Sequence, residues 1–231
     1  MRNCWFITGT DTDAGKTVAG CGLLQAAAQR GWHAAGYKPV ASGAEMTAQG
    51  LRNRDGLLLQ RFSLPGLHYA EVNPLVFGEA TSPHIVSQAE NRPVTARVMT
   101  AGLQHLQTKA DWIIVEGAGG WFTPLGDDFL YSDWVVSEQL PVILVVGMKL
   151  GCINHALLTA QAIQASGREL AGWIASNVHP PQYRHQPYLQ TLMHYLPAPM
   201  LGEIPHFTDE RALMSCGRYL DLPQPVRSAI Y

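Results

Sequence analysis

The chain has 231 residues, 47% of them hydrophobic, with 16 basic and 18 acidic side chains and a formal charge of -2. That fits a single domain over 1–231, burying on the order of 70% of its unfolded surface, with no global field to draw nucleic acid or an anionic membrane. Cys4, Cys21, Cys152 and Cys216 form no Cys-x-x-Cys pair, residues 1–3 lead into a strand without a signal-peptide pattern, and the longest apolar run, around 140–148, is about half a membrane span. A cytoplasmic protein with free thiols is expected.

Trp5-Phe6-Ile7 reads as an apolar strand and 18–30 as a helix. Between them lies Gly9-Thr10-Asp11-Thr12-Asp13-Ala14-Gly15-Lys16-Thr17. A buried strand feeding a glycine turn that opens a helix aims backbone N–H groups and the positive helix end at one point, which suits a phosphate chain. Five residues separate Gly9 from Gly15 where the standard loop has four, so the front half is a variant. An ordinary turn would need neither the lysine nor the threonine. In a P-loop, Lys16 meets the terminal phosphates and the Thr17 hydroxyl a magnesium ion, with Asp13, Ala14, Gly15 and Val18 completing the cradle.

Residues 34–40 read as a second strand stopped by Pro39, which sets Lys38 at the rim of the sheet. Ser42-Gly43 begins a loop, and 51–62 looks helical with Asp55 near its start. Residues 63–94 are proline-rich, and their scattered apolar residues predict a packed excursion rather than a linker. A helix over 95–106 leads into a strand over 112–116, closed by Gly117-Ala118-Gly119-Gly120, a sharp exit with close backbone approach. A helix over 132–139, a strand over 141–146, a helix over 153–166, a strand over 170–175, a helix over 183–195 and a strand over 199–204 continue the alternation. Strands apolar throughout are buried on both faces. The fold class is therefore α/β: a doubly wound, mainly parallel sheet with helices on both faces, P-loop NTPase-like.

Ligands of such sheets gather beyond the carboxyl ends of the strands. Residues 8–17, Lys38 with Ser42, Glu116 with Gly117, residues 149–154, and Ser176-Asn177 all follow strand ends and are expected to converge on one cleft. Glu116 ends an apolar strand where an acidic residue can bind magnesium or orient its water, and Asp55 is a second candidate ligand. Lys16 and Lys38 together can neutralise charge on a transferring phosphoryl group. Leu150-Gly151-Cys152-Ile153-Asn154 opens a helix after a buried strand and is a second anion site. The plainer readings are a helix cap, solvated carboxylates and a solvated strand-end lysine. Cys152 is rejected as a nucleophile for want of an activating His-Asp arrangement. The nine histidines show no metal-ligand spacing; His206 is set apart as a candidate beside a base pocket.

Thr8-Gly9-Thr10-Asp11-Thr12, Gly15-Lys16-Thr17, Gly36-Tyr37-Lys38-Pro39-Val40-Ala41-Ser42-Gly43, Gly50-Leu51-Arg52-Asn53, Val115-Glu116-Gly117-Ala118-Gly119-Gly120-Trp121 and the segment ending in Asn154-His155-Ala156 together resemble the dethiobiotin synthetase family of biotin biosynthesis. The resemblance implies a ligase using ATP and Mg2+ that turns 7,8-diaminononanoate and CO2 into a cyclic urea, releasing ADP and phosphate. One amine takes up CO2 as a carbamate, ATP phosphorylates it, and the second amine displaces phosphate. By the same resemblance Lys16 and Lys38 stabilise the transferring phosphoryl group, and Thr12 and Ser42 contact the carbamate-bearing substrate. Thr17, Asp55 and Glu116 hold magnesium, and Gly117, Ala118 and Gly119 border the nucleotide. The substrate carboxylate sits on the helix start from Leu150 through Asn154 of the other subunit of a homodimer. Asp13 stands where the family commonly has Glu. Ala175-Ser176-Asn177 stands where it often has Ala-Asn, so the adenine-reading asparagine is displaced by one, and Pro205-His206-Phe207 brings His206 over the base. The rival reading is a P-loop switch protein of the partitioning type, which shares sheet and loop but needs neither the paired Lys38 and Ser42 nor the second anion site.

Overall fold

The structure, a computed structural model, describes residues 3–181 and 183–224. Six parallel strands make the central sheet: β1 (Asn3–Gly9), β2 (Ala34–Tyr37), β3 (Trp112–Gly120), β4 (Val142–Gly147), β5 (Leu170–Ser176) and β6 (Met200–Ile204), in the spatial order β6-β5-β4-β1-β3-β2. Every residue of β4 and β5 is buried. Both faces of the sheet are therefore covered, as the unbroken apolar runs predict. The cover consists of α1 (Lys16–Gln29), α2 (Arg54–Phe62), α3 (Tyr69–Val72), α4 (Pro83–Ala89), α5 (Ala96–Leu106), α6 (Tyr131–Ser137), α7 (Cys152–Ala165) and α8 (His185–Tyr195). The core holds Phe6, Trp112, Tyr131, Trp134 and Trp173, each almost fully buried, with the Trp5 and Trp112 rings 5.2 Å apart. All four cysteines are buried and none is in a disulfide. No helix among the described residues is long and apolar enough to cross a membrane.

α1 is apolar on nearly every side, a pattern that calls for cover all round. The 3₁₀ segment Glu210–Tyr219 supplies part of it, and Gln25 Nε2 donates to the Leu213 carbonyl at 2.6 Å. A Cβ at Gly22 would lie 2.8 Å from Leu220 Cδ1, so the small residue lets the segment approach. The tail from 208 thus packs on α1; its part beyond 224 lies outside the described residues, as do residues 1, 2 and 182.

The second strand ends sooner than expected, at Tyr37. Lys38 N–H donates to the Val72 carbonyl, Pro39 has no N–H to give, and Val40–Ala41 forms a separate parallel ladder with Leu75–Val76. The helix expected from 51 begins at Arg54, because Asn53 Oδ1 caps the N–H groups of Asp55 at 3.0 Å and Gly56 at 3.3 Å. Gly50–Arg52 pairs instead with Glu45–Thr47 as a small hairpin. The excursion over 63–94 is packed, as read: Val72, Phe77 and Val86 lie in the core. β3 runs on to Gly120, past the strand expected over 112–116.

Candidate active site

β1 lies between β3 and β4, and the chain visits first one side of it and then the other, so β1 ends at a topological switch point. The loop from Thr10 to Gly15 leaves there, its first N–H donating to the Val145 carbonyl at 3.0 Å. Gly15 has φ +91°, where a side chain is strained, and a Cβ on it would lie 2.2 Å from Ser176 Oγ. Asp13 accepts φ +61° without that licence. No side chain caps α1, so its first N–H groups have no side-chain acceptor and are of the kind that can meet an anion.

Beside the loop, Lys16 is 7% exposed and donates to the Asp11 carbonyl at 3.2 Å. Burial and, next, the Lys38 cation lower its pKa, against the pull of Glu116 and Asp55. Lys38 Nζ lies 2.7 Å from Glu116 Oε1 and 3.1 Å from Asp55 Oδ2. Burial opposes its charge, but the two carboxylates outweigh burial and hold its pKa above the ordinary lysine value. Burial also pushes Asp55 upward, yet Lys38 and Thr17 bring it below the usual carboxylate range. Glu116 is fully buried and is raised by that burial, with Lys38 opposing; its Oε1 accepts from both Lys38 and Thr17 Oγ1. Its Oε2 is buried without a hydrogen-bond partner. Behind the cluster, Asn73 Nδ2 donates to the Lys38 carbonyl, Tyr69 hydroxyl to Asn73 Oδ1, and Asn53 N–H to the Tyr69 hydroxyl. That chain fixes the end of β2 relative to the start of α2, and so Lys38 relative to Asp55.

These groups face a cavity of about 770 Å3. Of the residues singled out in the sequence, Thr12, Asp13, Gly15, Lys16, Thr17, Val18, Lys38, Ser42, Asp55, Glu116, Ala118 and Gly119 line it. Sequence reasoning missed Arg54, Leu58, the stretch 80–83, Thr123 and Leu213, which also line it. Asn before a helical run and Ser82-Pro83 are helix-start signals that would have pointed to two of these walls.

A family model described as an AAA domain matches residues 4–211. The chain is 59% identical over 222 residues to ATP-dependent dethiobiotin synthetase BioD 1 of Escherichia coli (strain K12), covering 96% of this chain and 99% of that protein. It belongs to the dethiobiotin synthetase family. Identity reaches 62% over 198 residues with the ATP-dependent dethiobiotin synthetase BioD of Serratia marcescens, covering 85% and 87% of the two chains. Among solved structures, a MinC:MinD cell division protein complex of Aquifex aeolicus aligns with TM-score 0.57 at 13% identity, covering 93% of this chain and 86% of that one. A ParA family ATPase of Chlorobium tepidum TLS gives 0.55 at 13%, covering 93% and 88%. At such identity the dethiobiotin synthetase family shares with them the fold alone.

Not every residue singled out in the sequence of this dethiobiotin synthetase family member lines this cavity. Ala14 is buried within the loop, and Gly117 is packed closely, since a Cβ there would lie 2.6 Å from Phe6 Cζ. Leu150 is 81% exposed, Gly151 has φ +92°, Cys152 is fully buried with its thiol raised by burial, and Ile153 and Asn154 also lie outside the cavity lining. Ser176 touches the loop at Gly15. Asn177 Nδ2 donates to Glu203 Oε1 at 2.8 Å, which His185 Nε2 also meets at 2.6 Å, while Asn177 Oδ1 is buried without a partner. His206 Nδ1 lies 3.2 Å from the Asn177 carbonyl, and the ring of Phe207, next to Pro205 and His206, lies 6.2 Å from that of Tyr219 at a tilt of 51°. The reason is topological: β5 and β6 stand on the far side of β1 from β2, so their carboxyl ends gather a second group of residues.

Proposed function

We propose that this chain is the ATP-dependent ligase that closes 7,8-diaminononanoate and CO2 into the cyclic urea of dethiobiotin. The observation that carries the reading is the meeting of Lys16 and Lys38 with Thr17, Asp55 and Glu116 at one cavity wall. A carbamate oxygen of the substrate attacks the γ-phosphorus of ATP and ADP leaves; the second amine then attacks the carbamoyl carbon, and phosphate leaves with that oxygen. Lys16 exchanges the Asp11 carbonyl for the terminal phosphate. Lys38, kept cationic by its two carboxylates, steadies the transferring group, and such fixed charge is the main device of phosphoryl transfer. Thr12 and Ser42 orient the carbamate. Asp13, Ala14, Gly15 and Val18 cradle the phosphates, with Gly117, Ala118 and Gly119 behind them, while Ser176, Asn177, Pro205, His206 and Phe207 take the base.

The oxygen donors suit Mg2+: a hydroxyl and two carboxylates, one of whose oxygens, Glu116 Oε2, is buried without a partner. Thr17, Asp55 and Glu116 would hold the ion, which when bound neutralises and aligns phosphate oxygens. The α7 start from Leu150 through Asn154 does not line its own cavity, and an exposed Leu150 there suits a homodimer in which this start holds the partner's substrate carboxylate. The cytoplasm, with its free CO2, ATP and reduced thiols, is the compartment that suits this chemistry.

The test is phosphate release from ATP with and without diaminononanoate and bicarbonate. The reading expects release to need both. Slow release indifferent to either, yet altered by a protein partner, would favour a nucleotide switch.

A further inference from the structure

Carbamate formation and ring closure each strip a proton from a substrate amine, and the groups assigned above are poorly placed to take it. Lys38 is already charged and held so by Glu116 and Asp55. Asp55 is a weakened base, Glu116 has Oε1 engaged by Lys38 and Thr17 and Oε2 assigned above to the metal ion, and Asp13 is exposed on the phosphate loop. The lining also includes residues 80–83, held beside Ser42-Gly43 by the Gly43 N–H bond to the Glu79 carbonyl at 3.0 Å.

Ser82 in that lining stands at the N-cap of α4, where a serine hydroxyl ordinarily accepts from the helix N–H groups. It makes no such cap. Its Oγ meets His84 Nδ1 at 2.9 Å instead, so a half-buried imidazole is wired through one hydroxyl to the cavity.

We propose that Ser82 and His84 form the proton relay for the substrate amine. The amine N–H proton passes to Ser82 Oγ as the nitrogen bonds to carbon, and the Ser82 hydroxyl proton passes to His84 Nδ1, giving an imidazolium. This requires the tautomer with hydrogen on Nε2, so that Nδ1 accepts. The relay rests on the ligase reading, and Ser82 is its point of contact with substrate.

The test is steady-state kinetics of dethiobiotin formation for the wild type, Ser82→Ala, His84→Ala, His84→Asn and the Ser82→Ala/His84→Ala double variant. General acid–base assistance is worth about 10²- to 10⁴-fold. Each single variant is expected to lose about 10²-fold in kcat with KM for ATP within about threefold. The double variant should be no slower than either single, because both break one chain. Added imidazole should restore part of the His84→Ala rate and none of the double variant's. His84→Asn keeps a hydrogen-bonding group at the Nδ1 position without its basicity, so normal nucleotide affinity with lost turnover in that variant separates the relay from a folding defect. Turnover of the His84 variants within about threefold of wild type, or losses that multiply in the double variant, would overturn the relay alone. A wild type that forms no product would overturn the ligase reading and the relay with it.

Discussion

Lys38 is a buried cation whose charge survives because two carboxylates stand within 3.1 Å of it. Removing it leaves Glu116 buried and unpaired, an error that costs about 3–5 kcal/mol in comparable pairs. Lys38→Met is therefore expected to lower Tm as well as kcat, the latter by about 10²- to 10³-fold, the size typical of losing one transition-state donor. Lys38→Met with Glu116→Gln should recover much of the Tm and none of the turnover. Lys16→Ala should abolish nucleotide turnover with less loss of Tm, since its bond in the free protein is to a carbonyl. A Lys38 variant with full turnover would remove it from the chemistry. Lys16, Thr17 and Lys38 were legible in the sequence because strand, turn and helix fix them locally. The Asn53–Tyr69–Asn73 chain behind Lys38 was not, because it joins residues brought together by folding rather than by spacing.

Elements of three or more turns or five apolar residues could be read from periodicity. The ladders Glu45–Thr47 with Gly50–Arg52 and Val40–Ala41 with Leu75–Val76 are too short to carry a period, and the helix read over 51–62 took in the last two residues of the first of them. The short helix α3 shows how such an element holds. Glu71 ties it to the end of α5: Oε1 meets His105 Nε2 at 2.6 Å and also Lys109, and Oε2 accepts the His68 N–H at 2.8 Å. Lys109 first, then that N–H and His105, draw the Glu71 carboxyl from 4.5 down to about 2. A lowered folded pKa adds stability that is whole above the ordinary carboxylate value and disappears as pH falls through the folded one. Glu71→Gln should thus lower Tm at neutral pH, with the gap to wild type closing as pH drops from 4.5 towards 2. A gap constant across that window would show that the charge is not what ties α3 down.

At the scale of the molecule, alternating strands and helices announced the doubly wound sheet, but not its order. That order decides which strand ends share a cavity: β1, β2 and β3 build the wall of Lys16, Lys38 and Glu116, while α7 after β4 presents Leu150 to solvent at 81% exposure. If the α7 start completes the partner's site, mixing Lys38→Ala with Asn154→Ala subunits should restore activity in heterodimers, each holding one intact site. Mixtures no more active than the separate variants would contradict a shared site. The central claim is that the phosphate of ATP passes to an oxygen of the substrate carbamate held between Lys16 and Lys38. Its most direct measurement is the fate of 18O from labelled CO2 and bicarbonate in single-turnover reactions with ATP and diaminononanoate. The mechanism predicts one labelled oxygen in the phosphate released per dethiobiotin formed; dethiobiotin accompanied by unlabelled phosphate would contradict it.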